Sequence, residues 1–431
     1  MRPARLTLTA VLLTGLIVII AAGCSAIPTT QPTAVPTEVT PPPSPTVTPF
    51  PTQSTEPADS LIPIVIWLPP EFSPDLDNTA SRLLKTRIAE FNQEHPHLSV
   101  QYRIKDNSGA AGLLEALSVT GKVAPQSLPD LVFCSDVELH TAFNGNLVYP
   151  YPFNIPSDDD QDWYNLTEDL GSFNGQTYSL LIGVDGLVMV YNTRLIENTP
   201  LNWDDLLRSG YLFTFPAADP EALLTYALYL SQGGQLTDEQ DSIQIQVEAL
   251  APVLSFYSQA GSLALLPGEI VQMDTDNKSW DSFIYGGRQV TVTWASRYFS
   301  LLDDSLTAAP LLTHDGNPIT VVSGWGWALT TPDPNKQLAA AELARFLTEA
   351  DFAGEWTQAA HLLPLRPNAL SYWVNDQDRM LASQLMPSAL AIPSDEILKI
   401  SGPIFKQAVI DTLTGELTAQ EAAEQAASDS N

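Results

Sequence analysis

The chain has 431 residues, and 50 acidic side chains against 19 Lys and Arg give it a net charge of −31. So acidic a chain lacks the clustered Lys and Arg that grip phosphates by releasing counterions, which excludes nucleic acid as a partner, and it lacks the basic patch of a polybasic membrane-surface protein. An apolar fraction of 44% excludes global disorder, and two cysteines cannot build a disulfide scaffold.

Arg2 and Arg5 precede an apolar run over 6–20, and Ala21-Ala22-Gly23 then leads to Cys24. Residues 1–23 have the pattern of a secretory signal. They resemble the bacterial lipoprotein signal, which is cleaved before a cysteine whose sulfur then carries diacylglycerol. Ala21 departs from that pattern, where a larger aliphatic residue is usual. A plain signal peptide and an uncleaved membrane anchor are the alternatives. Lipidation at Cys24 places the mature chain on the extracytoplasmic face of the cell membrane and leaves Cys134 as the free thiol. Cys134 ends the apolar run 130–134 and is expected to be buried and inert. Residues 24–60 read as a tether. Ten prolines and nine threonines occur in 27–60, with no Lys or Arg. At ~3.1 Å per residue this semi-extended segment reaches on the order of 100 Å.

The folded part begins at Leu61. Ile62, Ile64, Val65, Ile66, Trp67 and Leu68 predict a buried strand stopped by Pro69-Pro70. Asp77, Asn78 or Thr79 can cap a helix whose apolar residues, Ala80, Leu83, Leu84, Ile88 and Phe91, recur at helical spacing. Pro96 ends it near His95. Leu98, Val100, Tyr102 and Ile104 alternate as a strand, completing a β-α-β unit with parallel strands. A helix around 110–119 and a strand at 131–134 continue the alternation. Further strands are expected at 187–191, 211–215, 290–294, 308–312 and 319–329. Further helices are expected at 203–208, 220–231, 241–260, 336–349, 352–360 and 395–413, and the polar tail after Ala426 should fray. Strands alternating with helices indicate an α/β fold.

Four segments resemble, in order, the bacterial extracellular solute-binding protein family 1, the sugar-type, maltose-binding-protein-like receptors of ABC importers. The first comprises Ile64-Val-Ile-Trp67, Ile88-Ala-Glu-Phe91-Asn92 and His95-Pro-His-Leu-Ser-Val100. The second is Leu128-Pro129-Asp130-Leu131-Val132. The third runs from Tyr178 through Asp185 to Tyr191-Asn192, followed by Pro200-Leu-Asn-Trp203-Asp204. The fourth is Val322-Ser-Gly324-Trp325-Gly326-Trp327-Ala-Leu329, with Phe346-Leu347 and Leu363-Pro364-Leu-Arg366 behind it. Ile182 stands where the family has proline, and Asn202 where it has threonine. The resemblance implies a two-lobe periplasmic-binding-protein-like α/β fold with a hinge and an interlobe cleft. It assigns 61–182 plus 291–328 to lobe 1 and 183–290 plus 329–431 to lobe 2. The hinge falls near 183–185, with return crossings near 288–291 and 328–332.

A sugar needs rings to stack on and planar polar groups to meet its hydroxyls. By resemblance Trp67 and Glu71 lie at the first ligand loop. Ser135 and Asp136 follow a parallel strand, at the end where open α/β sheets bind ligands; a helix cap is the other reading of Asp136. Asp185 sits at the hinge, where a hinge hydrogen bond is the alternative to ligand contact. Trp294 ends a strand facing the cleft. Gly324, Trp325 and Trp327 lie at the return crossing, and alternation puts both indoles on one face. Arg366 is either a cleft contact or a helix cap.

No nucleophile elbow, phosphate loop or dinucleotide fingerprint occurs. His95-Pro-His97 reads as a helix-end turn. Asp158-x-Asp160-x-Asp162 mimics a calcium loop but lacks its glycine and terminal Glu. No enzyme activity, cofactor or metal is expected. The implied function is capture of a sugar or oligosaccharide by lobe closure and delivery to ABC permease subunits, by a monomer anchored through lipid. A polyamine or another polar solute in the same fold is one alternative. A tethered carbohydrate-binding or sensory lipoprotein without transport is another, and a secreted hydrolase a third.

Overall fold

The computed structural model describes residues 61–430, apart from 110, 158, 159, 238–241 and 302. Contacts divide the chain into 1–56 and 57–431, and only the second unit is described below. The signal at 1–23, Cys24 and the tether at 24–60 lie outside the described residues.

Strand β1 (Ile62–Leu68), helix α1 (Thr79–Glu94), β2 (Leu98–Ile104), α2 (Leu113–Val123), β3 (Leu131–Ser135) and α3 (Asp136–Asn144) alternate as expected. The Asn78 side chain caps α1 by accepting from the Ser81 N–H at 2.8 Å, and Leu84, Ile88 and Phe91 form its buried stripe. Helix α4 (Leu166–Gly171) and the hairpin β4 (Ser172–Phe173) and β5 (Gln176–Thr177) lead into β6 (Ser179–Asn192). Then follow α5 (Trp203–Ser209), β7 (Phe213–Thr214), α6 (Leu223–Ser231), α7 (Val247–Ser262), α8 (Asp276–Tyr285), β8 (Val290–Trp294), α9 (Ala295–Phe299) and β9 (Leu306–Ala309). The long β10 (Thr320–Leu329) is followed by α10 (Pro334–Phe346), α11 (Ala350–Ala360), β11 (Leu363–Pro364), α12 (Asp376–Leu385), β12 (Ala389–Ala391), α13 (Asp395–Thr414) and α14 (Ala419–Asp429).

The main sheet runs β2-β1-β3-β10-β6-β8-β7. β1 is parallel to β2 and β3, as the β-α-β reading required. β10 is antiparallel to both β3 and β6, and β6 is antiparallel to β8. Buried Asp130 fastens this arrangement: its carboxylate accepts from the Val65 N–H at 2.8 Å and meets the Lys336 ammonium at 3.2 Å.

Among the described residues, two large apolar cores and one smaller cluster lie along the sheet. The first gathers Ile64, Ile66, Phe91 and Phe133 with Leu343, Trp356 and Leu385. The second gathers Tyr191, Trp203, Phe215, Tyr257 and Val290 with Phe405 and Ala423. β6 and β10 contribute to both, so they are the strands that bridge them. They cross where Gly186 faces Val322, Asp185 faces Ser323 and Val184 faces Gly324. Their register slips between Trp325 and Gly326, leaving Ile182 as the extra residue of a bulge. Close approach needs glycine here. A Cβ on Gly186 would lie 2.9 Å from Val322 Cγ1, and one on Gly183 would lie 3.0 Å from Thr357 Cγ2.

The packing divides the chain differently from the sequence reading at two places. Residues 334–389 pack in the first core, and Val292, Leu311, Leu312 and Ile319 pack in the second. The direction of β10 explains both. It starts in the second core at Val321 and ends in the first beyond Trp327, where Thr330 donates to the Asp130 carbonyl. The chain returns after β12, which pairs with Thr320–Val322, from Ile392 onward.

The tail differs as well. Thr418 and Glu421 form a capping box, and Ala422, Ala423 and Ala426 are buried, so α14 stays helical to Asp429. Cys134 is a free, buried thiol. Burial pushes its pKa well up, with the charges of Glu138 and Asp136 adding to the shift.

Candidate functional site in the cleft at the strand crossing

Several predicted residues converge where β6 and β10 cross. β3 ends at Ser135, which faces Trp325 in the β3–β10 register. The Ser135 hydroxyl accepts from the Glu138 N–H at 3.2 Å, while the Ser135 N–H donates to the Glu138 carboxylate at 2.9 Å. This capping box starts α3, so Ser135 and not Asp136 is the cap. Asp136 is thereby free to reach β10. Its Oδ1 accepts from the Ser323 hydroxyl at 2.6 Å and the Gly324 N–H at 3.0 Å. Burial raises its pKa, against the pull of these hydrogen bonds.

Asp185 stands on the neighbouring strand, paired in register with Ser323. Its carboxylate accepts from the N–H of Gly186 at 3.0 Å and of Ser296 at 2.9 Å, and from the Ser296 hydroxyl. Helix α9 has Trp294 at its N-terminal boundary and no side-chain cap of its own. Asp185 supplies that cap from another element. Burial pushes the Asp185 carboxyl up to about 6, and the charge of Asp276 acts in the same direction.

The first-core wall of the cleft carries Glu71, which is exposed and holds the Asn107 amide at 3.1 Å through both oxygens. Beside it Phe72 meets Trp325 edge-on at 4.9 Å. Trp325 and Trp327 do share a face, since both approach Phe133, at 6.0 and 4.7 Å. Trp325 is half-buried, whereas Trp327 is 2% exposed and lies in the first core. Trp67 is likewise 2% exposed, with the Lys105 ammonium 4.1 Å from its ring centre. Gly324 is buried against Leu181 and Leu170.

Arg366 lies apart from the crossing. Its guanidinium donates to both oxygens of Asp160 at 3.0 and 2.7 Å and to the Thr348 carbonyl at 2.6 Å, and it covers the Trp163 ring at 3.8 Å. The acidic run that resembled a calcium loop thus supplies an arginine clamp through Asp160, with Asp162 at 3.7 Å. Among the described residues no cluster of His, Cys, Asp and Glu could hold a metal ion. No described helix is long and apolar enough to cross a membrane.

On the second-core wall, expected Trp294 stands with acidic residues that no sequence motif marked. Trp294, Leu187, Val292 and Pro216 line a cavity together with Asp219, Glu221 and Asp276. The Asp219 carboxylate accepts from the N–H groups of Glu221 at 3.1 Å and Leu223 at 3.3 Å. Ala222 has φ +51°, so α6 begins at Leu223 and not at Pro220. A non-glycine residue in this region is strained, and such strain gathers at functional sites. Burial raises the pKa of Asp219, Glu221 and Asp276. Ser135-x-x-Glu138 has the spacing of a capping box, the signal that could have marked Ser135 as the cap; the turn that ends at strained Ala222 carries no signal beyond Pro220.

A family described as bacterial extracellular solute-binding protein matches residues 86–380. No curated protein sequence matches the chain. Among solved structures, the chain is similar to the cyclic alpha-maltosyl-1,6-maltose binding protein from Arthrobacter globiformis, at 18% identity and a TM-score of 0.72, over 86% of this chain and 98% of that one. It is similar to the maltose-binding periplasmic protein from Listeria monocytogenes in complex with maltose, at 15% identity and a TM-score of 0.69, over 85% and 96%. A cyclo/maltodextrin-binding protein complexed with maltotetraose aligns at 17% identity and a TM-score of 0.68, over 86% and 97%. The two-lobe fold expected from the sequence is the fold of these proteins.

Proposed function

The chain belongs to the bacterial extracellular solute-binding proteins, and from that premise we propose that it captures a sugar or oligosaccharide in the cleft at the β6–β10 crossing and delivers it to the permease of an ABC importer. The observation that carries this reading is the convergence of Asp136, Asp185, Ser323 and Trp294 on the strands that bridge the two cores. Bending at that crossing brings the two walls together over a solute. Glu71, Ser135 and Asp136 are the polar groups of the first wall, Trp294 is the stacking ring of the second, and Asp185, Gly324 and Trp325 form the floor. Trp67, Trp327 and Arg366 support these walls from behind. The solved relatives bind maltose, maltotetraose and a cyclic maltosyl saccharide, which favours a saccharide here too. The protein acts without catalysis or cofactor, as a monomer held on the extracytoplasmic face by lipid on Cys24.

A thermal-shift screen of mono- and oligosaccharides tests the ligand class, because a ligand that binds only the folded state raises its stability by mass action. Stabilisation by a saccharide is expected. A shift with amino acids alone, and none with any saccharide, overturns the assignment. Cys24→Ser should release the protein from membranes; retention of the variant would contradict lipid anchoring.

A further inference from the structure

We propose that the solute is an amine-bearing saccharide, bound by its sugar rings at Trp294 and by its protonated nitrogen among Asp219, Glu221 and Asp276. This inference rests on the proposed saccharide function and names the charge of its ligand.

The cavity beside Trp294 joins an apolar wall, Leu187 and Pro216, to three carboxylates. An indole face with flanking aliphatic groups suits the C–H face of a sugar ring. A neutral sugar could be held by amides and hydroxyls as well as by carboxylates, so three acids in one cavity point to something more. Their charges are poorly balanced. Arg297 pairs with Asp276 at 2.7 Å, and Lys406 acts on Asp219 from α13. Among the described residues no cation pairs with Glu221 in this way; the charges acting on it are Asp219 and Asp395, and both disfavour its ionised form. Asp276 likewise feels the charge of Asp219, and Asp185 feels that of Asp276.

The opposite wall repeats the pattern. Burial raises the pKa of Glu138, and the charges of Glu71 and Asp136 raise it further. Acidic groups on both walls focus a negative potential between them, and closure would tighten that focus by excluding water. A bound ammonium relieves the repulsion within each wall and adds a charge-assisted hydrogen bond. A neutral ligand would leave the repulsion in place.

The test is calorimetric titration of the full chain, purified in detergent, with glucosamine tetramers in α-1,4 and β-1,4 linkage, their N-acetylated counterparts, maltotetraose and spermidine. One glucosamine tetramer should bind at least tenfold more tightly than its N-acetylated partner, with affinity falling as NaCl is raised. Glu221→Gln should weaken that binding severalfold; a melting curve of the ligand-free variant checks its fold. Binding of an N-acetylated tetramer or maltotetraose as tight as that of the amine overturns the inference but leaves saccharide capture standing. Binding of spermidine without any saccharide overturns both. No binding by either glucosamine tetramer also overturns the inference.

Discussion

The Asp185 carboxylate caps helix α9 from a neighbouring strand, accepting from both the N–H, at 2.9 Å, and the hydroxyl of Ser296. Because Trp294 immediately precedes α9, this one contact ties the floor of the cleft to the ring on its second wall. Asp136 makes the matching tie on the other side, from α3 to Ser323 on β10. Two buried carboxylates thus hold the two walls to the crossing strands.

The first prediction concerns pH. Burial lifts the Asp185 carboxyl from 3.8 to about 6, so the folded state holds this proton more tightly than the unfolded chain does. Stability from this group is greatest below the unfolded value and is lost as pH rises through the folded one. Asp185→Asn keeps an acceptor for Ser296 but removes the titration. Between about pH 4 and about pH 6, wild type should lose stability relative to the variant as pH rises. Urea denaturation at several pH values reads this, and parallel curves would contradict it.

Arg366 should be a stability residue. Its side chain is 12% exposed and that of Asp160 24%, and the pair is two-pronged. Arg366→Ala strands a partly buried carboxylate and should cost about 3 kcal/mol. Arg366→Lys restores the charge but not the fork, so it should recover only part of the loss. Full stability in Arg366→Ala, read by chemical denaturation, would refute the clamp.

Trp294 is the ring expected to stack on the solute. Trp294→Ala should weaken saccharide binding by about tenfold or more, since burial of an aromatic face is worth about 1–2 kcal/mol. Trp294→Phe should retain more of the affinity. Equal affinities for wild type and Trp294→Ala in a calorimetric titration would remove the indole from the site.

Cys134 lies in the smaller apolar cluster with Trp67, Val132 and Leu139, and its thiol is held well above the ordinary range. In the Cys24→Ser protein it should react with a thiol reagent only after denaturation. Rapid labelling of the native protein would show that the cluster opens.

The apolar strands and the opening β-α-β unit were legible because burial leaves periodic marks in sequence. The division of the cores was not, since it depends on which end of β10 meets which core, and Val321 and Trp327 look alike as apolar strand residues. The positions of Asp136, Asp185 and Trp294, at strand ends and at the crossing, were legible from the strand pattern. The cavity that Asp219, Glu221 and Asp276 line was not, because a polar residue in a turn or at a helix start gives no sign of the cavity it lines until distant segments meet. Trp327 and Trp67 illustrate the converse: a strand-end indole is as readily a core residue as a stacking platform.

Capture by closure at the β6–β10 crossing should contract the molecule. Small-angle X-ray scattering of the full chain in detergent-free Cys24→Ser form, with and without the saccharide found by thermal shift, measures it directly. A smaller radius of gyration is expected on saturation, reversed by dialysis and weakened by Trp294→Ala. An unchanged radius with a bound saccharide would contradict it.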